Sequence, residues 1–312
     1  MTSNHLFAVG GAHIDRRGQV SGAYVPGTSN PGVLSEEVGG VVFNALRNAV
    51  KHGVAASLLS VRGGDASGDN VARSIAQAGI EDLSVVFLDR STPSYTALLD
   101  HDGDLIAGLA DMGLYELAFA KQLGRAKVRQ AAASADAILC DANLPEAGLA
   151  KLMAVAAGKP VFAIAISPAK AVRLAGLLEH LSCLFMNRHE ALRLAGIEEA
   201  GTVEMVASLR GRGLAQGVIT AGGEAVIGFD REGIFSIVPP RARRIADVTG
   251  AGDALAGATI AALMKGFALR EALREGLAAA MLTVESPAAV ADFSAREFTA
   301  ALALVPQATE VA

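Results

Sequence analysis

The chain has 312 residues, of which 52% are hydrophobic, so it can bury a large core in one or two α/β units. Its 32 acidic and 27 basic residues give a net charge of −5, and no basic stripe interleaved with aromatic residues is present, which argues against nucleic-acid binding. Cys140 and Cys183 lie apart in apolar runs, and we find neither a secretion signal nor an apolar stretch of membrane-spanning length, so we expect a soluble cytoplasmic protein.

The first part of the sequence predicts a buried strand followed by a β-rich excursion. Residues 6–12 form an apolar run that contains a Gly-Gly pair, whereas residues 19–38 contain prolines and glycines between short β-prone runs. Apolar residues then recur at helical spacing over 40–52. A strand at 55–61 and a helix at 70–78 follow.

A second β-rich stretch comes next. The segments 84–89 and 95–99 have strand character, and a His-Asp-Gly turn at 101–103 joins the second of them to another apolar run as a hairpin. We expect the segments at about 19–38 and 84–110 to form a lid over the carboxyl edge of the main sheet, where open α/β sheets bind ligands.

From residue 137 onward, strands and helices alternate. The strands are apolar on both faces, which predicts a parallel sheet covered by helices on each side. Residues 224–238 alternate around a turn and predict an added antiparallel hairpin. Small-residue helices follow from residue 251.

The string Asp-Val-Thr-Gly-Ala-Gly-Asp at 247–253 leads directly into one of these helices. The first amides of a helix lack carbonyl partners and attract anions, and the small residues Gly250, Ala251 and Gly252 leave those amides accessible. The Asp253 carboxylate beside such a site is suited to accept a proton, which indicates phosphoryl transfer to a hydroxyl group. A capping role is the alternative for Asp253. We expect the helix dipole to keep this carboxylate ionised near neutral pH, as a weak base.

Three spaced motifs resemble the ribokinase-like (PfkB) family of carbohydrate and nucleoside kinases over nearly the whole chain. They are the string at 248–253, Gly39-Gly40-Val-Val-Phe-Asn44 and Asn187-Arg-His-Glu190. The resemblance implies one domain over 1–312. It also implies an α/β three-layer sandwich with a mostly parallel central sheet and the small β-rich lid.

Within this family, shorter strings are similar to those of pseudouridine kinases. They are Gly11-Ala-His-Ile-Asp15, Ser29-Asn-Pro-Gly32, Ser94-Tyr95, Asp111-Met112 and Asp141-Ala-Asn143. Two departures stand out. His13 replaces an expected asparagine, and Ile164-Ala165 replaces the acidic residue and proline of many relatives.

The resemblance also assigns roles to candidate residues. Asp253 is the catalytic base, and Gly250, Ala251 and Gly252 form the anion hole. The acceptor is bound by Asp15, Gly39, Gly40 and Asn44, with His13 and Tyr95 as further candidates. The nucleotide is bound by Asn187, Thr220, Gly222 and Gly223. Glu190 organises Mg²⁺ through water, and Asp247 and Thr249 are candidate ligands of a monovalent cation such as K⁺.

Chemistry supports part of this assignment, since a carboxylate and an amide together suit two neighbouring sugar hydroxyls. Ordinary turn or helix-start roles are the alternatives for Asp15, Asn44 and Glu190. The predicted function is ATP-dependent phosphorylation of the 5-hydroxyl of a ribosyl compound, with pseudouridine as the best acceptor. Ribose, adenosine or a similar compound is the second choice, and a non-catalytic sugar or nucleotide sensor is the third. We expect a homodimer formed through the lid.

Overall fold

The structure, a computed structural model, describes residues 4–311. Its strands are β1 (His5–Val9), β2 (His13–Val20), β3 (Gly32–Gly39), β4 (Ala55–Leu59), β5 (Val61–Gly63), β6 (Glu81–Asp82), β7 (Val85–Phe87), β8 (Ser94–Leu99), β9 (Leu105–Asp111), β10 (Ala137–Asp141), β11 (Val161–Ile164), β12 (Cys183–Asn187), β13 (Gly217–Thr220), β14 (Val226–Phe229), β15 (Ile234–Ile237) and β16 (Thr309–Glu310).

Helices fill most of the remaining sequence. They are α1 (Val41–Lys51), α2 (Ala66–Gln77), α3 (Gly113–Gln122), α4 (Ala126–Ser134), α5 (Glu146–Ala156), α6 (Pro168–Ala171), α7 (Arg188–Ala195), α8 (Thr202–Gly211), α9 (Ala251–Met264), α10 (Leu269–Val284) and α11 (Ala295–Leu304). A 3₁₀-helix, Val172–His180, continues α6.

The central sheet has ten strands in the order β16-β15-β14-β13-β12-β11-β10-β1-β4-β6. Its strands run parallel from β6 to β13, and β14, β15 and β16 are added antiparallel. The predicted hairpin at 224–238 is confirmed as β14 and β15. The parallel order brings the carboxyl ends of β1, β10, β12 and β13 to one edge.

Helices cover both faces of this sheet. Alternate residues of β1 enter different cores, with Phe7 and Val9 in one and Leu6 and Ala8 in the other. The first core is completed by α3, α4, α5, α7 and α8, and the second by α1, α2, α9, α10 and α11. The result is three layers with two apolar interfaces.

A separate four-stranded sheet, in the order β3-β2-β8-β9, contains most of the two segments that we predict to form a lid, and we call it the lid sheet or lid. It begins at His13, earlier than the predicted start at 19, because the chain stays extended directly after the Gly10-Gly11 bend. The second segment starts later than predicted. Val85–Phe87 pairs with Val61–Gly63 in a small parallel ribbon, so it lies outside the lid sheet. Arg16 and Gly18 interrupt the apolar face of β2 between Ile14 and Val20, so the alternation of apolar residues that marks a strand is weak there.

Within residues 4–311, no helix combines the length and the apolar character needed to cross a membrane.

Candidate active site

The turn that we predict to bind an anion, residues 248–252, which we call the anion turn, lies at the start of α9. Gly250 has a left-handed backbone with φ 79°, and a Cβ atom there would lie 2.1 Å from the Ala289 carbonyl oxygen. Only glycine meets both conditions. A Cβ on the exposed Gly252 would meet no atom within 4 Å, so this face of the turn is open. The Ala251 amide donates to the Val248 carbonyl at 3.3 Å, which makes it the least available of the predicted donors.

Asp253 lies on the first turn of α9 and is half-buried. Its Oδ2 accepts a hydrogen bond of 2.9 Å from the Asn44 side-chain amide on α1. The Arg47 guanidinium in turn donates to Asn44 Oδ1. The two family motifs, more than 200 residues apart in sequence, therefore meet at this carboxylate.

The protonation of Asp253 corrects our expectation. Burial raises the pKa of Asp253 to about 7, and the charges of Asp141 and Asp15 add to this shift, while Asn44 and Arg47 oppose it. With a pKa of about 7 the group is only partly ionised at neutral pH, in contrast to the expectation based on the helix dipole. A carboxyl group that titrates near neutrality is better matched to proton transfer than an ordinary aspartate.

Asp15 lies on β2 of the lid, close enough to Asp253 for its charge to affect the Asp253 pKa. Its Oδ1 lies 3.3 Å from His13 Nε2, and a Cβ at Gly39 would lie 2.0 Å from its Oδ2. Gly40 has φ 115°, and a Cβ there would lie 2.3 Å from the Gly11 carbonyl oxygen. The Gly-Gly pair thus lets the chain turn from β3 into α1 close to Asp15.

Tyr95 and Asp15 are direct partners in the pairing of β8 with β2, so both side chains lie on the same face of the lid sheet. This is also the face of His13, two residues before Asp15. The acceptor-binding roles of Tyr95 and His13 stay predictions.

A buried polar network behind His13 was missed as a site by our sequence reasoning. His13 Nδ1 lies 3.1 Å from the buried Tyr115 hydroxyl. Asp141, fully buried, accepts hydrogen bonds from the amides of Gly11 and Asn143, and burial raises its pKa. Lys170 donates to Asn143 Oδ1 at 2.6 Å. The signal available in the sequence is an acidic residue that ends an otherwise apolar strand, and we had used it only as a point of resemblance.

Asn187 and Glu190 form a capping box at the start of α7. The Glu190 carboxylate accepts bonds from the Asn187 backbone amide at 2.7 Å and from its side chain at 2.8 Å, and Asn187 accepts one from the Glu190 amide at 2.9 Å. Glu190 is only 4% exposed. This is the helix-start role that we had kept as the alternative. A carboxylate has further lone pairs, so it fits a water-mediated contact to Mg²⁺ better than direct coordination.

Thr220, Gly222 and Gly223 line a cavity of about 560 Å³ on the other side of the anion turn, together with Ala251 and Gly252. Its wall is largely apolar. The wall includes three residues of α10 and one residue before the anion turn, namely Leu277, Met281, Val284 and Ile245. Sequence reasoning did not identify them, because single apolar residues carry no motif. An apolar cavity that is also lined by Ala251 and Gly252 suits a purine base with its phosphates at the start of α9.

Asp247 and Thr249, the predicted cation ligands, are already paired. Arg17 of the lid donates to Asp247 Oδ2 at 2.8 Å and to Thr249 Oγ1 at 3.1 Å. Among residues 4–311, the one convergence of three metal-binding side chains is Asp100, His101 and Asp102 in the lid turn, away from Asp253. A divalent ion at the site would therefore rely mainly on phosphate and water oxygens, as Mg²⁺ commonly does.

Comparison with known proteins agrees with this geometry. The model of the pfkB family carbohydrate kinases matches residues 3–296. The pseudouridine kinase of Escherichia coli (strain K12) is 30% identical over 275 residues, which are 87% of this chain and 87% of that protein. The chain is thus similar to both a sugar kinase family and one of its nucleoside kinases.

Solved structures extend the likeness. A carbohydrate kinase from Agrobacterium tumefaciens is 46% identical with a TM-score of 0.87, covering 99% of this chain and 100% of its own. The Arabidopsis thaliana ribokinase complexed with ribose and ATP is 20% identical with a TM-score of 0.85, covering 96% of this chain and 99% of its own. The predicted ribokinase-like α/β fold is confirmed.

Proposed function

The chain belongs to the pfkB family of carbohydrate kinases and is a phosphotransferase with a hydroxyl acceptor, and from this premise we propose that it phosphorylates pseudouridine at the 5′-hydroxyl of its ribose. One observation carries the proposal. The Asp253 carboxyl, whose pKa is raised to about 7 by burial and by the charges of Asp141 and Asp15, directly follows the open turn at Gly252 and accepts a 2.9 Å hydrogen bond from Asn44.

In this reaction the acceptor hydroxyl lies against Asp253, which takes its proton as the oxygen bonds to phosphorus. Phosphoryl transfer depends mainly on positioning and charge stabilisation, so a single well-placed base is sufficient. The amides at the start of α9 hold the negative charge of the migrating group. The hydrogen bond from Asn44 orients the carboxylate toward the acceptor.

The sugar is held by Asp15 and Asn44. Asp15 offers carboxylate oxygens to neighbouring hydroxyls, and the absence of a side chain at Gly39 leaves room for this carboxylate beside the backbone. His13 and Tyr95, which share a lid face with Asp15, lie where they can contact the base or the sugar rim. The buried Tyr115 hydroxyl, 3.1 Å from His13 Nδ1, supports the imidazole ring.

The donor we propose is ATP, since the relative from Arabidopsis thaliana is described with ribose and ATP bound. The adenine would occupy the apolar cavity lined by Thr220, Gly222 and Gly223, with the phosphates at Gly252. Asn187 and Glu190 would hold Mg²⁺ through water. When bound, Mg²⁺ neutralises the phosphate charge. We place the reaction in the cytoplasm, where the unpaired Cys140 and Cys183 remain reduced.

Pseudouridine is preferred to other acceptors because of the 30% identity with the E. coli enzyme over most of both chains. A ribokinase of Haemophilus influenzae, 26% identical over 269 residues, keeps ribose as the second candidate. A sensor without activity has less support, because a sensor needs no proton acceptor at Asp253.

We further propose that the protein is a homodimer through the lid. Leu34 and Leu109 are 67% and 70% exposed and lie on the lid face opposite to Asp15, by the pairing of β3, β2, β8 and β9. The outermost strands β3 and β9 also leave backbone groups unpaired. A second lid would cover both features.

The test is a panel of pseudouridine, uridine, adenosine, ribose and fructose with MgATP, followed by ADP release and by phosphorus NMR of the product. We expect the highest kcat/KM with pseudouridine, and a product that carries the phosphate on the 5′-oxygen of the ribose. A clear preference for an N-riboside or for free ribose would remove pseudouridine but keep the kinase. Background ADP release with every acceptor would favour the sensor.

A further inference from the structure

Arg17 links the lid to residues 246–252, the loop that contains the anion turn and that we call the phosphate-binding loop. It lies two residues after Asp15 on β2, and therefore on the same face of the strand. Its guanidinium reaches across to Asp247 and Thr249, at 2.8 Å and 3.1 Å, and these residues come shortly before Gly250. One strand thus carries both the proposed sugar ligand and a contact to the phosphate-binding loop.

The other side of this loop is fixed by the end of α10. The amides of Ala246 and Asp247 both donate to the Val284 carbonyl, at 2.9 Å and 3.4 Å. The close approach of Gly250 to Ala289 adds a tight packing contact on that side. The hydrogen bonds of Arg17 join this loop to the lid, whereas those to Val284 join it to α10.

The arrangement does not fit a monovalent cation at Asp247 and Thr249. Asp247 Oδ1 accepts from the Thr249 amide at 2.8 Å, and its Oδ2 is taken by Arg17. The Thr249 hydroxyl oxygen faces the same guanidinium. A cation placed on these side-chain oxygens would be repelled by the positive charge of Arg17 at contact distance.

We propose that Arg17 is a positioning residue that takes the place of a monovalent cation, holding the phosphate-binding loop and fastening the closed lid to it. This inference rests on the proposed kinase function, but it does not depend on which hydroxyl compound is the acceptor. It follows that wild-type activity does not need K⁺, and that removal of the guanidinium creates a K⁺ requirement at Asp247.

Arg16 provides a matched control. It is the neighbouring residue on β2, on the opposite face, and it pairs with Glu36 at 2.9 Å and with Ser67 at 3.5 Å. Arg16→Gln thus removes an arginine from the same strand without touching the loop.

The experiment compares full-length wild type, Arg17→Gln, Arg17→Lys and Arg16→Gln in tetramethylammonium chloride and in KCl at about 0.1 M, near physiological ionic strength. Without K⁺, Arg17→Gln should lose about 10- to 100-fold in kcat, the range expected for a lost charge-assisted hydrogen bond. KCl should restore several-fold of this loss, and Arg17→Lys should retain more activity than Arg17→Gln. Wild type and Arg16→Gln should respond to KCl by less than about twofold, a difference of ~0.4 kcal/mol.

Thermal unfolding supplies a readout that needs no substrate. Arg17→Gln should gain stability in KCl relative to tetramethylammonium chloride, because a cation that binds only the folded state stabilises it, and wild type should not. Strong activation or stabilisation of the wild type by K⁺ would overturn the inference, as would an Arg17→Gln variant indistinguishable from Arg16→Gln. If the wild type phosphorylates no acceptor, the proposed function fails, while the unfolding experiment still decides the question of Arg17.

Discussion

The Asn44 side chain donates a 2.9 Å hydrogen bond to the Asp253 carboxylate, so the helix that follows the Gly-Gly pair is joined to the helix that follows the anion turn. This contact connects the proposed acceptor site to the proposed phosphate site. It also sets the ionisation of the proposed base, because the Asn44 bond lowers a pKa that burial raises.

The pH profile should report Asp253 directly. Because the carboxyl group must be ionised to accept a proton, kcat/KM should rise with pH through a midpoint of about 7 and then level off. Asn44→Ala removes a hydrogen bond that stabilises the charged form, so its midpoint should lie at higher pH. Asn70→Ala, on α2, serves as the control and should keep the wild-type midpoint. A profile that is flat through pH 7 would show that another group is the base.

Two glycines of the turn should behave in opposite ways. Gly250→Ala places a methyl group against the Ala289 carbonyl in a left-handed conformation, so it should destabilise the fold by about 1–3 kcal/mol in thermal unfolding. Gly252→Ala meets no atom within 4 Å and should fold normally. Its methyl group faces the phosphate site, so kcat should fall by about tenfold or more. Equal stability of the two variants would show that backbone strain and the Ala289 contact are not what requires glycine at position 250.

The apolar cavity should be specific for the nucleotide. Ala280 lines it from α10, and Ala280→Phe would fill part of its space of about 560 Å³. The KM for ATP should rise about tenfold, equivalent to ~1.4 kcal/mol, while the KM for the acceptor stays near the wild-type value. A rise confined to the acceptor KM would place the nucleotide elsewhere.

The lid face should hold the dimer together. Leu34→Lys with Leu109→Lys puts charges on the exposed face opposite to Asp15, so light scattering after gel filtration should give the mass of one chain instead of two. Leu304→Lys, at a residue 61% exposed on α11, is the matched control and should leave the mass unchanged. A wild type that is already monomeric would end the dimer proposal.

Much of the fold could be predicted from the sequence because the periodicity of apolar residues and the turn residues are local features. The apolar strands from 137 onward and the helix after Gly40 follow from periodicity, and the antiparallel hairpin follows from alternation around its turn. The start of the first lid strand was predicted too late, since Arg16 and Gly18 interrupt the apolar face of His13–Val20 and the strand is defined mainly by its pairing with β3 and β8.

The candidate site was less predictable, because its electrostatics depends on residues that are distant in sequence. The raised pKa of Asp253 depends on Asp15 and Asp141, which no local pattern places beside it. The contact of Arg17 with Asp247 spans 230 positions and joins two segments that the sequence presents as unrelated. Likewise, the motif around Glu190 indicates a metal-site residue, and only the three-dimensional structure reveals the capping box.

The most direct test of the mechanism is the turnover of Asp253→Asn with pseudouridine and MgATP, measured as 5-phosphate formed per enzyme. The variant keeps the shape and the Asn44 contact but cannot take up the proton. We predict a kcat lower by about 10²- to 10⁴-fold with little change in either KM. An unchanged kcat would show that Asp253 is not the base and would contradict the mechanism.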